Sequence, residues 1–269
     1  MQSWQDQEVD PGQPLVFSIH EQDRAMVRDS IVEAIVMAPE PVRVQLCVCI
    51  NNIIKHDFPN RWTQVVDKIS IYLQNNDANG WTGAMQCLYQ LVKNYEYKKS
   101  AERLPLTEAM NLLLPMTYQL MVNLLEHDSD QLVLLQKLIL KIYYALTQYS
   151  LPLDVISKEM FSQWMEITVK ILDRPSNPAK LDENSEENME LPEWKVKKWA
   201  THIMARMFER YGSPGNVVSK EYEEFAKWYL TTFSSGVLQV QFKVLAEFSN
   251  KAYVSPRVMT DILNYLKNS

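Results

Sequence analysis

Glycine is scarce: only 6 of 269 residues, well under the roughly 7% of average usage. Folds built on many tight turns or on Gly-rich phosphate loops are therefore disfavoured. Cysteine is scarcer still, at 3 residues, so there is no disulfide framework and a reducing compartment is expected. Only 4 histidines occur, His20, His56, His127 and His202, and none stands in a spacing that would gather zinc ligands. Cys47 and Cys49 lie two apart in a helical stretch. At ~100° per residue they point to opposite sides and cannot share an ion. No long hydrophobic run is present either. The most lipophilic charge-free stretch, 109–125, falls short of the ~20 residues of a spanning helix, and Asn111, Pro115, Gln119 and Asn123 interrupt it. The first residues lack the basic and apolar regions of a secretory signal, which leaves cytosol or nucleus as the expected compartment. Positive charge is in deficit as well, with 27 Lys and Arg against 33 Asp and Glu for a net charge of -6. A basic protein is a more natural partner for this balance than a nucleic-acid backbone.

What the chain does have is apolar residues at helical spacing. They fall at Val27, Ile31, Ala34 and Ile35, then at Val42, Leu46, Cys49, Ile50 and Ile53, and again at Trp81, Met85, Leu88, Val92 and Tyr95. Leu132, Leu135, Ile139, Ile142 and Leu146 form another stripe, and Val196, Trp199, Ala200, Ile203, Met207, Phe208 and Tyr211 the clearest one. Strict alternation is not found, so strands are not called for. Punctuation supports helices of ordinary length. Pro39 and Pro41 separate the first two, the polar run from Asn75 to Gly80 ends the third, and Ser129 or Asp130 is placed to cap the helix that follows. Gly212, Pro214 and Gly215 stop a later helix, Ser219 is placed to cap the next, and Ser255-Pro256 opens the last.

These signals predict an all-α fold of about eleven helices, over 20–37, 41–56, 60–75, 79–97, 104–126, 130–149, 157–172, 193–211, 219–233, 236–249 and 255–267. Alternate helices start near 41, 79, 130, 193 and 236, a spacing that centres near the ~40–47 residues of HEAT or armadillo hairpins. The second helix of each pair is the more continuously apolar, as in the run from Val44 to Ile50, which is expected of a helix packed on both sides. The reading is a right-handed α-α superhelix of five to six hairpins over 20–269, preceded by an irregular lead-in over 1–19. A compact helical bundle is the alternative. Neither end carries the polar cap that a stack requires, so a piece of a longer stack is expected.

The search for catalysis is negative. Gly212-Ser213-Pro214-Gly215 follows a helix and is not a nucleophile elbow. Gly80 and Gly83 lack the lysine and preceding strand of a phosphate loop. No enzyme, cofactor or metal is expected. One charge feature remains. Asp182, Glu183, Glu186, Glu187, Glu190 and Glu193 follow the helix-breaking Arg174-Pro175-Ser176-Asn177-Pro178 and form an acidic insert over 173–192 and its edge. Composition alone permits a solvated loop; the functional alternative is an electrostatic arm that attracts a basic partner. Lys195, Lys197 and Lys198 open the helix after it, where lysine opposes the helix dipole.

Four segments, taken in order, carry a family resemblance. They are Ile53-Ile54-Lys55-His56-Asp57-Phe58-Pro59-Asn60-Arg61-Trp62, the stretch from Cys87 to Lys99 containing Lys93-Asn94-Tyr95-Glu96-Tyr97-Lys98-Lys99, Lys197-Lys198-Trp199-Ala200, and Phe208-Glu209-Arg210-Tyr211-Gly212-Ser213-Pro214-Gly215-Asn216. Together they resemble the importin-β superfamily of nuclear import receptors, and within it the importin seven and importin eight branch, with Val42-Arg43 fitting the HEAT pattern. The resemblance implies a stack of HEAT hairpins whose second helices line a surface for cargo or the GTPase Ran. It implies basic cargo such as ribosomal proteins or histones, weak contacts with Phe-Gly nucleoporins at the pore, and shuttling between cytoplasm and nucleus, with no membrane and no direct nucleic acid. It further implies that an N-terminal segment and many C-terminal repeats are missing here. The branch has acid-rich sequence ahead of a stretch like Pro192-Glu193-Trp194-Lys195-Val196-Lys197-Lys198-Trp199, so Asp182 to Glu193 become candidate contacts for Ran or cargo. A generic HEAT-repeat scaffold or adaptor is the alternative.

Overall fold

A computed structural model describes Trp4 and residues 19–175 and 190–207. Every regular element among them is helical. In chain order these are α1 (Glu21–Met37), α2 (Glu40–Asp57), α3 (Gln64–Gln74), α4 (Ala78–Tyr95), a 3-10 turn (Ser100–Arg103), α5 (Leu104–Leu124), α6 (Asp130–Thr147), α7 (Lys158–Asp173) and α8 (Pro192–Met207). The helices expected over 219–233, 236–249 and 255–267, the stop at Gly212 to Gly215 and the cap at Ser219 lie outside the described residues. Elsewhere the expected boundaries hold within a few residues. The largest shift is α3, expected from residue 60 but starting at Gln64. The amides of Arg61 and Trp62 both donate to the Asp57 carbonyl, at 2.7 and 3.1 Å, and this turn occupies the residues in between.

The chain divides into two compact units, residues 1–117 and 118–269. In the first, α4 packs against α1, α2 and α3. Asp77 starts it, its carboxylate accepting from the Asn79 and Gly80 amides at 3.4 and 2.7 Å. The α1–α4 approach is close because Gly83 has no side chain: a Cβ there would stand 2.6 Å from Val36 Cγ2 and 2.8 Å from Val36 Cα. The buried face of α1 is made of Ile31, Val32, Ile35 and Val36, a face rotated from the expected one, since Val27 and Ala34 are exposed. Arg24 and Arg28 continue the buried face one turn up, where apolar periodicity could not register them. α2 also departs from expectation. Val44 and Val48 are 48% and 54% exposed, so its apolar run is not packed on both sides.

Helix ends are closed by side chains from neighbouring helices. Arg43 of α2 donates to the Ile35 and Val36 carbonyls at the end of α1, at 3.0 and 3.4 Å. These carbonyls have no helical partner of their own. Arg28 donates to the fully buried Asp57 at 2.7 Å and also pairs with Glu21. The Trp4 indole donates to the same Asp57 oxygen at 3.2 Å. Burial pulls the Arg28 pKa down, and the bonds to Glu21 and Asp57 more than offset it, so the guanidinium is held above its ordinary value. On the α2–α4 seam Cys47 lies against Gln86 at 3.6 Å. Burial pushes its thiol up to about 11 and raises that of Cys87 too, which leaves both as inert small hydrophobes.

The second unit builds on α6, α7 and α8, with α8 packed on both others. Ser157 caps α7 by accepting from the Met160 amide at 3.2 Å. Ser129 stands at the α6 N-cap without a side-chain bond. Trp164 fills the core, stacked on Tyr143 at 4.5 Å and edge-on to Tyr118 at 5.9 Å. Among the described residues, no helix is long and apolar enough to cross a membrane.

Two expected outcomes test this packing. Gly83→Ala should lower unfolding free energy by about 1–3 kcal/mol, because the added methyl meets backbone and β-branched atoms that cannot swing away; urea denaturation reads it. Asp57→Ala should cost about 1–3 kcal/mol by removing the buried acceptor of Arg28 and Trp4 while Glu21 still pairs with Arg28, and the same titration would show a clearly larger midpoint shift than for an exposed control such as Asp23→Ala.

Candidate functional site

The acidic insert was the sequence's only site candidate. Asp182, Glu183, Glu186 and Glu187 lie outside the described residues. Glu190 and Glu193 are described, and the structure assigns them different surroundings. Glu190 is exposed and receives a hydrogen bond from Lys195 Nζ at 2.7 Å. That bond, with the charges of Lys195, Lys137 and Lys198, holds its carboxyl below the usual carboxylate range. Glu193 sits half-buried in the first turn of α8, where the helix dipole favours an acid.

Glu193 lines a cavity of about 200 Å³ together with Asp128, Asp130, Arg174, Pro175 and Pro192. Beside it, the end of α5 is tied to its neighbours by side-chain donors. Fully buried Gln136 of α6 donates to the Leu124 carbonyl at 2.6 Å and the His127 carbonyl at 3.5 Å. Arg174, at the C-cap of α7, donates to the Leu125 carbonyl at 2.7 Å and the Gln136 side-chain oxygen at 3.4 Å. Three helices are thus tied at one polar node. Burial lowers the Arg174 pKa from its ordinary value, while the carboxylates of Glu126 and Glu193 oppose the shift. The cleft therefore presents carboxylates around an internally engaged guanidinium. Among the described residues no cluster of three or more His, Cys, Asp or Glu could hold a metal ion.

Sequence reasoning reached Glu190 and Glu193 from charge density but missed Asp128, Asp130 and Arg174. Arg174 was read only as part of a helix break. No local pattern announces this role, because the Leu125 carbonyl that Arg174 serves lies 49 positions earlier in the chain.

No family model matches the chain. Among curated proteins it is 52% identical over 266 residues to Importin-8 of Homo sapiens, covering 98% of this chain and 26% of that protein. It is 46% identical over 279 residues to Importin-8 of Danio rerio, with the same coverage. The chain thus spans about a quarter of the length of these relatives. Among solved structures, the exportin Cse1 in its cargo-free, cytoplasmic state superposes with a TM-score of 0.71 at 17% identity, over 92% of this chain and 26% of that one. The fold is therefore the α-α solenoid of stacked helical hairpins expected from the sequence.

The Glu190–Lys195 contact gives a pH-dependent outcome. Because the Glu190 pKa is lowered, the pair is fully formed above the ordinary carboxylate value and is lost as pH falls through the depressed one. Carboxyl NMR should place the Glu190 midpoint below the usual ~4.3, and Lys195→Ala should move it upward; an unchanged midpoint in that variant would refute the contact.

Proposed function

The chain belongs to the importin-β superfamily, and from that premise we propose that it is a segment of a nuclear transport receptor. In this reading it works by binding and not by catalysis, carrying basic protein cargo into the nucleus under control of the GTPase Ran. Identity of 52% to Importin-8 across 98% of the chain is the observation that carries it. The acids at and around the insert support the cargo class. Asp128, Asp130 and Glu193 around the cleft extend the negative charge that Asp182, Glu183, Glu186, Glu187 and Glu190 supply in sequence. Such a surface steers a basic ribosomal protein or histone by charge complementarity. Phe-Gly nucleoporins are the partners at the pore, and the receptor shuttles between cytoplasm and nucleus. The domain plan belongs to the same proposal: an irregular lead-in over 1–19, then hairpins over 20–269 with the acidic insert at 173–192.

The experiment is a pair of binding measurements. Full-length receptor carrying this segment should be retained on Ran loaded with GTP over Ran loaded with GDP, and equal retention would overturn Ran control. Replacing Glu183, Glu186, Glu187 and Glu190 by Gln in the present chain should leave helicity unchanged. It should weaken binding of a histone by about tenfold at low salt, with the difference fading at high salt as exposed charges are screened. Unchanged binding at low salt would reduce the insert to a solvated loop.

A further inference from the structure

α6 and α8 carry charge of the opposite sign from the chain as a whole. Past their first turns, α6 holds Lys137 and Lys141 and no acid, while α8 holds Lys195, Lys197, Lys198, His202 and Arg206 and no acid. Lys197 is buried over the Trp194 ring. The others share a face. Lys137, Lys141 and Tyr144 follow one another at helical spacing, as do Lys195, Lys198, Trp199, His202 and Arg206.

Cross-helix contacts place these rows side by side. Lys141 Nζ stands 5.6 Å over the Trp199 ring. Tyr144 meets Trp199 edge-on at 5.4 Å and His202 at 6.2 Å. Arg206 Nε donates to the Gln148 carbonyl at 2.9 Å. The register advances in the same direction on both helices, so they run parallel and form one stripe. From Lys195 to Arg206 it extends about 16 Å at 1.5 Å per residue, which matches about five residues of extended peptide. All eight side chains of the stripe are half-buried. A carboxylate already lies at one end: Glu190 is bonded to Lys195 and feels Lys137 and Lys198.

We propose that this stripe is a docking face for a short acidic stretch of polypeptide in a partner protein. The carboxylates of that stretch replace or join Glu190 on the lysines. The rings favour peptide over nucleic acid. Trp199 is covered by Lys141 and edged by Tyr144 and His202, so its face is not open for base stacking. The proposal stands on the signs and register of these residues and not on the transport reading, whose cargo is basic.

The test titrates a fluorescein-labelled oligoglutamate peptide into the full chain at low salt and reads anisotropy. The wild type should bind it. The double reversal Lys137→Glu with Lys198→Glu should weaken binding at least ~10-fold with unchanged helicity, while histone binding does not fall. If that variant loses helicity, the neutral pair Lys137→Gln with Lys198→Gln takes its place. Glu190→Gln should tighten oligoglutamate binding by removing the competing carboxylate, an effect that damage to the fold cannot produce. The proposal is overturned if the wild type does not bind oligoglutamate, if the charge variants bind it as the wild type does, if Glu190→Gln fails to tighten it, or if an oligodeoxynucleotide binds equally well.

Discussion

A pair of amphipathic helices can cover one apolar face against its partner but leaves others open, and the next helix must close them. That constraint organises both units. In the first, α4 is applied to α1, α2 and α3, and the approach to α1 is close enough that residue 83 has to lack a side chain. In the second, α8 covers α6 and α7, with Trp164 and Tyr143 stacked in the interior. Burial of this kind is non-directional and roughly proportional to area, so it draws helices together without setting their register. Steric fits such as Gly83 against Val36 set it.

The polar groups at helix ends do the remaining positioning. A helix terminus presents carbonyls with no helical partner, and burying one unsatisfied costs about 1–3 kcal/mol. In each unit a side chain from a neighbouring helix answers this demand: Arg43 at the end of α1, Gln136 and Arg174 at the end of α5, Arg206 at the end of α6. These bonds have direction, so they fix where one helix stops relative to the next. In the cleft bounded by Asp128, Asp130 and Glu193, Arg174 is held in place by its bonds to Gln136 and the Leu125 carbonyl. Arg174 is spent largely on carbonyls, which leaves the carboxylates around it to define the sign of the cleft.

Charge is segregated within the second unit. Acids gather at the cleft and in the insert sequence, and cations line the seam of α6 and α8. Glu190 bridges the two regions through Lys195. Adjacent surfaces of opposite sign each favour a partner of the opposite charge. Like-charge approach is penalised on each.

The sequence alone determined the all-α class and, among the described residues, the helix spans to within a few residues. These follow from local rules: a 3.6-residue period, prolines and polar breaks, and the chemistry of caps act within a few neighbours along the chain. It also pointed to Glu190 and Glu193 by charge density. Only the tertiary structure decided which face of α1 is buried, with Arg24 and Arg28 in it and Val27 outside. It alone showed that Asp57 is the buried anchor of Arg28 and Trp4, that Asp128, Asp130 and Arg174 meet Glu193 around one cleft, and that the lysines of α6 and α8 form a single stripe. Each of those depends on residues tens of positions apart coming into register. A buried charge is stable only beside a partner that the linear pattern does not name, so periodicity marks the helices and leaves their polar contacts to the fold.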